Sequence, residues 1–297
     1  MYMIGIDLGG TKIEAVLFDQ SFRELDRVRF ETRQQDGYRA ILQRIAGVCE
    51  QLTSGRTLGQ YSIGIGTPGS IARDSGVVRY SNIQCVNGER LDRDISTLLN
   101  RPVVIENDAN CFTLAEARLG AGEAHKSVFG MVLGTGCGGG LVINNQLIQG
   151  ANGIAGEWGH SVFDPAGPTC YCGRQGCVER YLSGNALEGQ YQEIKGHHLS
   201  LADIVTASGS GDEIARGVMS RFVDVFARAT ANLISVLDPD VIVLGGGLSK
   251  ISTVYEQAIP RVASCIMNAS VRTKIVSNVL GAEAGVIGAA MLGADTK

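Results

Sequence analysis

The sequence predicts an α/β protein of two lobes, and three observations carry that expectation. Its 297 residues exceed what one typical small core organises. Short β-type runs alternate with stretches of helical periodicity along the whole chain. Each half also opens with the same unit of strand, glycine turn and strand, as an ancient duplication would leave it.

The elements follow in order. Residues 3–8 alternate, break at Gly9-Gly10 and resume over 13–18, which predicts a hairpin. Tyr38, Ile41, Leu42, Ile45, Cys49 and Leu52 then recur at the spacing of an amphipathic helix. Strands are expected at 61–66, ending in Thr-Pro-Gly, and at 103–106, running into Asn107-Asp108 before a helical pattern over 109–119. In the second half 128–133 reads as a strand, 134–140 as a glycine turn and 141–143 as the returning strand. A long helix over roughly 214–237 must stop before Pro239, because proline restricts the residue ahead of it. A buried strand over 241–244 runs into Gly245-Gly246-Gly247, and a small, apolar helix over 282–292 closes the chain. The expected division is 1–110 with 282–297 as a smaller lobe and 111–281 as a larger one.

Composition narrows the function. Forty glycines among 297 residues are nearly twice the usual share of about 7%, yet they fall inside apolar runs, so they are not linker glycines. A hydrophobic content of 44% against 19% charged residues excludes a disordered chain. Net charge is −4, and basic residues are interleaved with acids, as over 23–33, so no nucleic-acid partner is expected. The most apolar stretch, 128–143, contains six glycines and is too short to span a bilayer, so no membrane is expected either. Asp7 and Lys12 interrupt what a signal peptide would need as an apolar core. A reducing cytoplasm is therefore expected, with the eight cysteines as thiols or metal ligands.

Three glycine clusters each follow a strand: residues 7–12 (DLGGTK), 133–140 (LGTGCGGG) and 244–248 (LGGGL). Such turns can aim backbone N–H groups at phosphate. Residues 134–139 match G-x-G-x-x-G, with Glu157 about twenty residues on. The dinucleotide fingerprint must open a helix, however, and here a strand follows, so the match is accidental. Cys170, Cys172 and Cys177 crowd together as C-x-C-x4-C, with His160 ten residues upstream. Three thiolates and one imidazole fill the tetrahedral shell of a structural Zn²⁺, which would staple an otherwise irregular loop over 164–176. Unpaired cysteines clustered in a loop are the plainer alternative.

Acids sit at two turns. Asp108, where a strand hands over to a helix, stands where ligands bind in α/β sheets, though it could simply cap the helix. A carboxylate at a helix N-terminus has a favoured charge and is expected to stay ionised. Glu157 lies beside a proposed zinc ligand and Glu179 two residues past the last cysteine, so a metal-ordered loop would position both; exposed, solvated acids are the alternative.

Together these landmarks resemble the ROK family (repressors, open reading frames and kinases) of the sugar kinase–actin–Hsp70 superfamily. The chain carries DLGGTK at 7–12, IGIGTPG at 63–69, ENDAN at 106–110, LGTGCGGG at 133–140, GEWGH at 156–160, CYCGRQGCVE at 170–179 and DPDVIVLGGGLS at 238–249. The resemblance implies a two-lobed actin-like ATPase (ribonuclease H-like) fold with a duplicated βββαβα core and a zinc-binding insertion at 160–179. It implies an ATP-dependent hexose kinase in which Asp108 is the catalytic base toward the sugar hydroxyl, expected at C6. Asp7 would organise Mg²⁺; Gly9, Gly10, Thr11 and Lys12, with Gly134, Thr135 and Gly136, would approach the β- and γ-phosphates; Gly245, Gly246 and Gly247 would border the adenosine. Asn107, Glu157, His160 and Glu179 would line the sugar, with Asn82, Gly69 and Ser70 as further contacts. His160 thus serves twice, with Cys170, Cys172 and Cys177 on zinc. Closure of the lobes would exclude water from the γ-phosphate. Family members are commonly dimers, so a homodimer is expected.

A repressor of this family needs a DNA-binding segment ahead of the first glycine turn, for which a strand starting at Met3 leaves no room. A sugar sensor without catalysis is the different-class alternative. The base and all three glycine turns argue against it. The spelling around 80–88 departs from the family's glucokinases, and the expected substrate is a free hexose such as fructose or mannose, with N-acetylglucosamine as the alternative.

Overall fold

A computed structural model describes residues 2–57, 59–268 and 270–295. The parts of the two expected lobes that fall on residues 1, 58, 269, 296 and 297 lie outside the described residues. By their contacts the residues group into two units: Met1–Glu123, Gly140–Ala155 and Val279–Lys297 form the first, and Ala124–Gly139 with Gly156–Asn278 the second. The first therefore extends past residue 110 and takes in the helix that follows.

The first unit starts with strands β1 (Tyr2–Leu8), β2 (Lys12–Phe18) and β3 (Glu24–Glu31), then helix α1 (Tyr38–Thr53) and strand β4 (Tyr61–Thr67). A short hairpin, β5 (Ser70–Ile71) and β6 (Val78–Arg79), leads to α2 (Leu91–Leu99), β7 (Val103–Asn107) and α3 (Asp108–Leu119). Next come β8 (Ser127–Leu133), β9 (Cys137–Ile143) and β10 (Gln146–Leu147), and then the second unit's helices α4 (Glu179–Leu182), α5 (Gly184–Lys195), α6 (Leu201–Gly209) and α7 (Glu213–Leu237). Strand β11 (Val241–Gly245), helix α8 (Ile259–Val262), strand β12 (Lys274–Ser277) and helix α9 (Ala284–Asp295) complete the chain.

The expected hairpin is β1 against β2, antiparallel, with Asp7 facing Glu14 across the ladder. Strand β4 lies parallel to β1 and β7 parallel to β4, so each pairing needs a crossover, supplied by α1 and α2. One sheet has the order β3-β2-β1-β4-β7 and the other β10-β9-β8-β11-β12. Ranked by position in the chain, both read 3-2-1-4-5. That is the duplication the sequence predicts.

Helix α1 buries Ile41, Ile45, Val48, Cys49 and Leu52 on one face, against a sheet whose β1 and β2 residues are almost all buried. Helix α9 packs on β1, β4 and α3, which keeps α3 with the first unit. Its approach is unusually close. A Cβ on Gly5 would come within 1.9 Å of the Val286 carbonyl oxygen, and one on Gly64 within 1.8 Å of that of Ala289. Glycine in β1 and β4 is thus what lets a helix of small residues lie directly on the sheet. In the second unit, α7 is capped by Asp212, whose side chain accepts from the N–H groups of Ile214 and Ala215, and it ends at Asp238 in the left-handed region ahead of Pro239.

One boundary differs from the sequence expectation. The glycine run at 138–140 belongs to strand β9 rather than to the turn. There is no space for side chains: a Cβ on Gly139 would meet Phe129, the Gly130 carbonyl and Trp158, and one on Gly140 would meet Thr113 and Asn110. The turn itself is only residues 134–136. No helix among the described residues is long and apolar enough to cross a membrane.

Candidate active site

In the first unit the candidate phosphate turn joins β1 to β2. The N–H of Gly9 donates to the Lys12 carbonyl (2.9 Å), and the buried Thr32 hydroxyl donates to the Gly9 carbonyl (2.6 Å), so the turn is anchored on one side. Thr11 and Lys12 remain exposed. Lys12 donates to Glu14 (2.6 Å), which also takes hydrogen bonds from Arg29 (2.8 Å) and Arg27. Burial pushes the Glu14 carboxyl up, but hydrogen bonds from Arg29, Lys12 and Arg27 outweigh it and hold it down to about 2. Asp7 behaves oppositely. Burial, then the nearby Asp108 carboxylate, raise it to about 6 despite the attraction of Lys12. Asn82 lies over the same turn, 3.6 Å from where a Cβ on Gly10 would be.

The second feature of this unit is the junction of β7 and α3. Asn107, not Asp108, caps the helix: its Oδ1 accepts from the N–H groups of Ala109 (2.9 Å) and Asn110 (3.2 Å). Its Nδ2 donates to the Gly69 carbonyl (2.8 Å), so the side chain expected on the sugar binds the Gly69-Ser70 turn to the helix start. Asp108 is the first helical residue, and its Oδ1 accepts from the Ala109 N–H (2.8 Å). Burial raises the Asp108 pKa and outweighs the helix start, whose N–H groups favour the charge as the sequence predicts. A raised carboxyl is better matched to taking a proton near neutral pH than an ordinary one.

In the second unit the Gly134–Gly136 turn is closed by the Gly134 N–H donating to the Gly136 carbonyl (2.9 Å), and the Gly184 N–H at the start of α5 donates to the Gly134 carbonyl (2.8 Å). The third glycine cluster lies beside it: a Cβ on Gly246 would sit 2.2 Å from the Leu133 carbonyl oxygen. Glu179 accepts from the Cys137 N–H (2.9 Å), which fixes that carboxylate at the edge of the glycine turn, and Thr135 stays exposed. Glu157 opens the short turn Trp158–His160, held in place by the Trp158 indole donating to the Gly138 carbonyl (3.0 Å) and packing edge-on against Phe129.

His160, Cys170, Cys172 and Cys177 converge, with one ligand atom from each within 4.8 Å of all the others. Cys170 Sγ lies 3.6 Å from His160 Nδ1, and Cys172 Sγ 3.6 Å from Cys177 Sγ. A tetrahedral zinc with Zn–S bonds of about 2.3 Å separates its sulfur ligands by about 3.8 Å, so the donor set and spacing fit the ion. The three thiols share their protons unevenly: against its burial, Arg174 and hydrogen bonds from Cys170 and Cys177 hold Cys172 down to about 6, while burial pushes Cys170 up and Cys177 up to about 12. His160 uses Nδ1 toward this cluster, while its Nε2 pairs with the Tyr171 hydroxyl (2.9 Å). The nitrogen left for a sugar is therefore already partnered, and Tyr171 would have to yield it.

Sequence reasoning missed the residues that hold these pieces. Thr32 and Glu14 carried no motif. Glu106 stood inside ENDAN without a role, and its partner Gln149 is 43 residues away, where no spacing rule reaches.

A family model described as "ROK family" matches residues 3–296. The chain belongs to the ROK family. It is 36% identical over 298 residues to an N-acetyl-D-glucosamine kinase of Yersinia pseudotuberculosis, covering 97% of each chain. To an N-acetylgalactosamine kinase of a Shewanella species it is 37% identical over 299 residues, covering 97% of this chain and 96% of the other. Among solved structures it is similar to a ROK glucokinase from Streptomyces griseus in complex with glucose and AMPPNP, at 30% identity and a TM-score of 0.82, covering 99% of this chain and all of that one. This ROK protein is a sugar kinase with the actin-like ATPase fold, and ATP and a sugar are its substrates.

Proposed function

We propose that this ROK kinase transfers the γ-phosphate of ATP to the C6 hydroxyl of an N-acetylhexosamine, N-acetylglucosamine first. The relatives named for 2-acetamido sugars, alike over nearly the full chain, favour this over fructose or mannose, the substrate expected from the sequence. The observation that carries the chemistry is Asp108, a carboxyl of raised pKa on the first residue of a capped helix.

Asp108 accepts the hydroxyl proton as the sugar oxygen attacks the γ-phosphorus, and the bond to the β-phosphate oxygen breaks to release ADP. Such a transition state is loose, so the protein contributes mainly position and charge. Backbone N–H groups around Gly9, Gly10 and Thr11, with Lys12, and those of Gly134, Thr135 and Gly136 would hold the β- and γ-phosphates. Gly245, Gly246 and Gly247 would border the adenosine. Asp7 would hold Mg²⁺, which neutralises phosphate charge when bound. Glu157, Glu179, His160, Asn107, Asn82, Gly69 and Ser70 would surround the sugar. Zn²⁺ on His160, Cys170, Cys172 and Cys177 would hold the loop that carries Glu157 and Glu179 in shape.

The test is ADP release from Mg·ATP against N-acetylglucosamine, N-acetylgalactosamine, N-acetylmannosamine, glucose, fructose and mannose. The expected result is the highest kcat/KM with N-acetylglucosamine. A tenfold preference for fructose or mannose would overturn the substrate reading and leave the kinase intact.

A further inference from the structure

Glu106 is a carboxylate buried to 6% exposure at the end of β7, and its hydrogen bonds come from neutral amides rather than a cation. Its Oε1 accepts from the Asn107 N–H (2.8 Å) and from Asn110 Nδ2 (3.0 Å). Asn110 donates at a cost, because its own buried Oδ1 finds no partner among the described residues. The other oxygen, Oε2, accepts from Gln149 Nε2, and Gln149 Oε1 in turn accepts from Arg73. That orientation of the carboxamide is forced: a guanidinium only donates and a carboxylate only accepts.

These bonds form a closed circuit in the first unit. It leaves the segment after β4 at Gly69, passes through Asn107, Glu106 and Gln149, and returns to the same segment at Arg73. Asp108 is attached to the middle of it, directly after the residue whose N–H and side chain are both held. The sole member from the segment 140–155 is Gln149, half-buried just past β10, with its side chain spanning from exposed Arg73 to buried Glu106.

We propose that Gln149 is a positioning residue for phosphoryl transfer: through Glu106 it fixes the Asn107–Asp108 turn, and so the direction of the base. The inference rests on Asp108 being that base. Loss of the link leaves the fold standing and misaims a carboxylate, and a misplacement of about 1 Å at a reacting group costs on the order of a hundredfold in rate.

The experiment compares Q149L, Q149E, E106Q and the exchanged pair E106Q/Q149E with wild type, reading kcat, both KM values and the melting temperature. Q149L and E106Q should lower kcat about ten- to a hundredfold with the KM for ATP within about twofold. Q149E should do the same, since it sets two carboxylates against each other. In the exchanged pair the amide at 106 can donate to the carboxylate at 149, which still accepts from Arg73, and kcat should return to within about threefold of wild type. A purely structural role would move melting temperature without this recovery in kcat. Wild-type kcat in Q149L, or no recovery in the exchanged pair, overturns the proposal. Should E106Q alone fail to fold, Q149L and the exchanged pair decide. D108N is run in parallel: normal turnover there sinks the base assignment itself, whereas an inactive D108N beside a normal Q149L sinks only the role of Gln149.

Discussion

Asp7 and Asp108 are coupled: burial and, next, the charge of Asp108 raise the Asp7 pKa to about 6. The native state therefore holds a proton on Asp7 more tightly than the unfolded chain does. This stability is fully present below about pH 4 and is lost as pH rises through 6. Removing the charge should reverse the loss. Without added Mg²⁺, D7N is expected to be more stable than wild type at pH 8, by up to about 3 kcal/mol, and to melt with it at pH 4. Thermal melts at the two pH values decide it. A D7N protein less stable than wild type at pH 8 contradicts the assignment, whatever its activity.

D108N keeps the helix start, because Asn107 supplies the cap. Its kcat should fall by at least about a hundredfold, with the KM for ATP and the melting temperature nearly unchanged. In wild type, kcat should decline toward acid pH as the raised Asp108 carboxyl protonates. Turnover within tenfold of wild type in D108N would exclude the residue as base.

Metal analysis of protein purified without chelators should find about one zinc per chain, and C172S or C177S should lower that content together with the melting temperature. Glu179 follows Cys177 closely and is hydrogen-bonded to the Cys137 N–H, so chelation should disturb the proposed sugar contact and the glycine turn together. Activity should return on adding Zn²⁺. Fully active protein without zinc would end the argument.

Two glycine substitutions should move stability in opposite directions. G64A drives a methyl group to 1.8 Å from the Ala289 carbonyl, and it should cost several kcal/mol or prevent folding. G217A, on α7, meets nothing within 4 Å and should stabilise by about 0.5–1 kcal/mol. Urea unfolding curves measure both. A tolerated G64A would mean that α9 can move off the sheet.

The β1–β2 hairpin, α1 and α7 were legible because their signals are local: alternation, a helical apolar stripe, a proline beyond the end. The ligand cluster was legible for the same reason, since His160 to Cys177 fall within eighteen consecutive residues. Glycine over 138–140 misled because the same residue serves turns and crowded strands, and only its neighbours distinguish the two. N-capping went to Asn107 rather than Asp108, a one-residue difference that comes with a hydrogen bond from its Nδ2 to the Gly69 carbonyl.

The sequence by itself determined the α/β class, the strand–glycine turn–strand unit that opens each half and the ROK motifs, because periodicity and side-chain chemistry are properties of neighbours in the chain. Tertiary structure alone decided how those residues behave. Burial outweighed the helix terminus at Asp108 and raised Asp7, while cations facing Glu14 lowered the pKa of that carboxyl. Gln149 reached Glu106 because the fold returned the stretch after β10 to β7. Desolvation and long-range hydrogen bonds depend on what lies across space, which no spacing along the chain encodes.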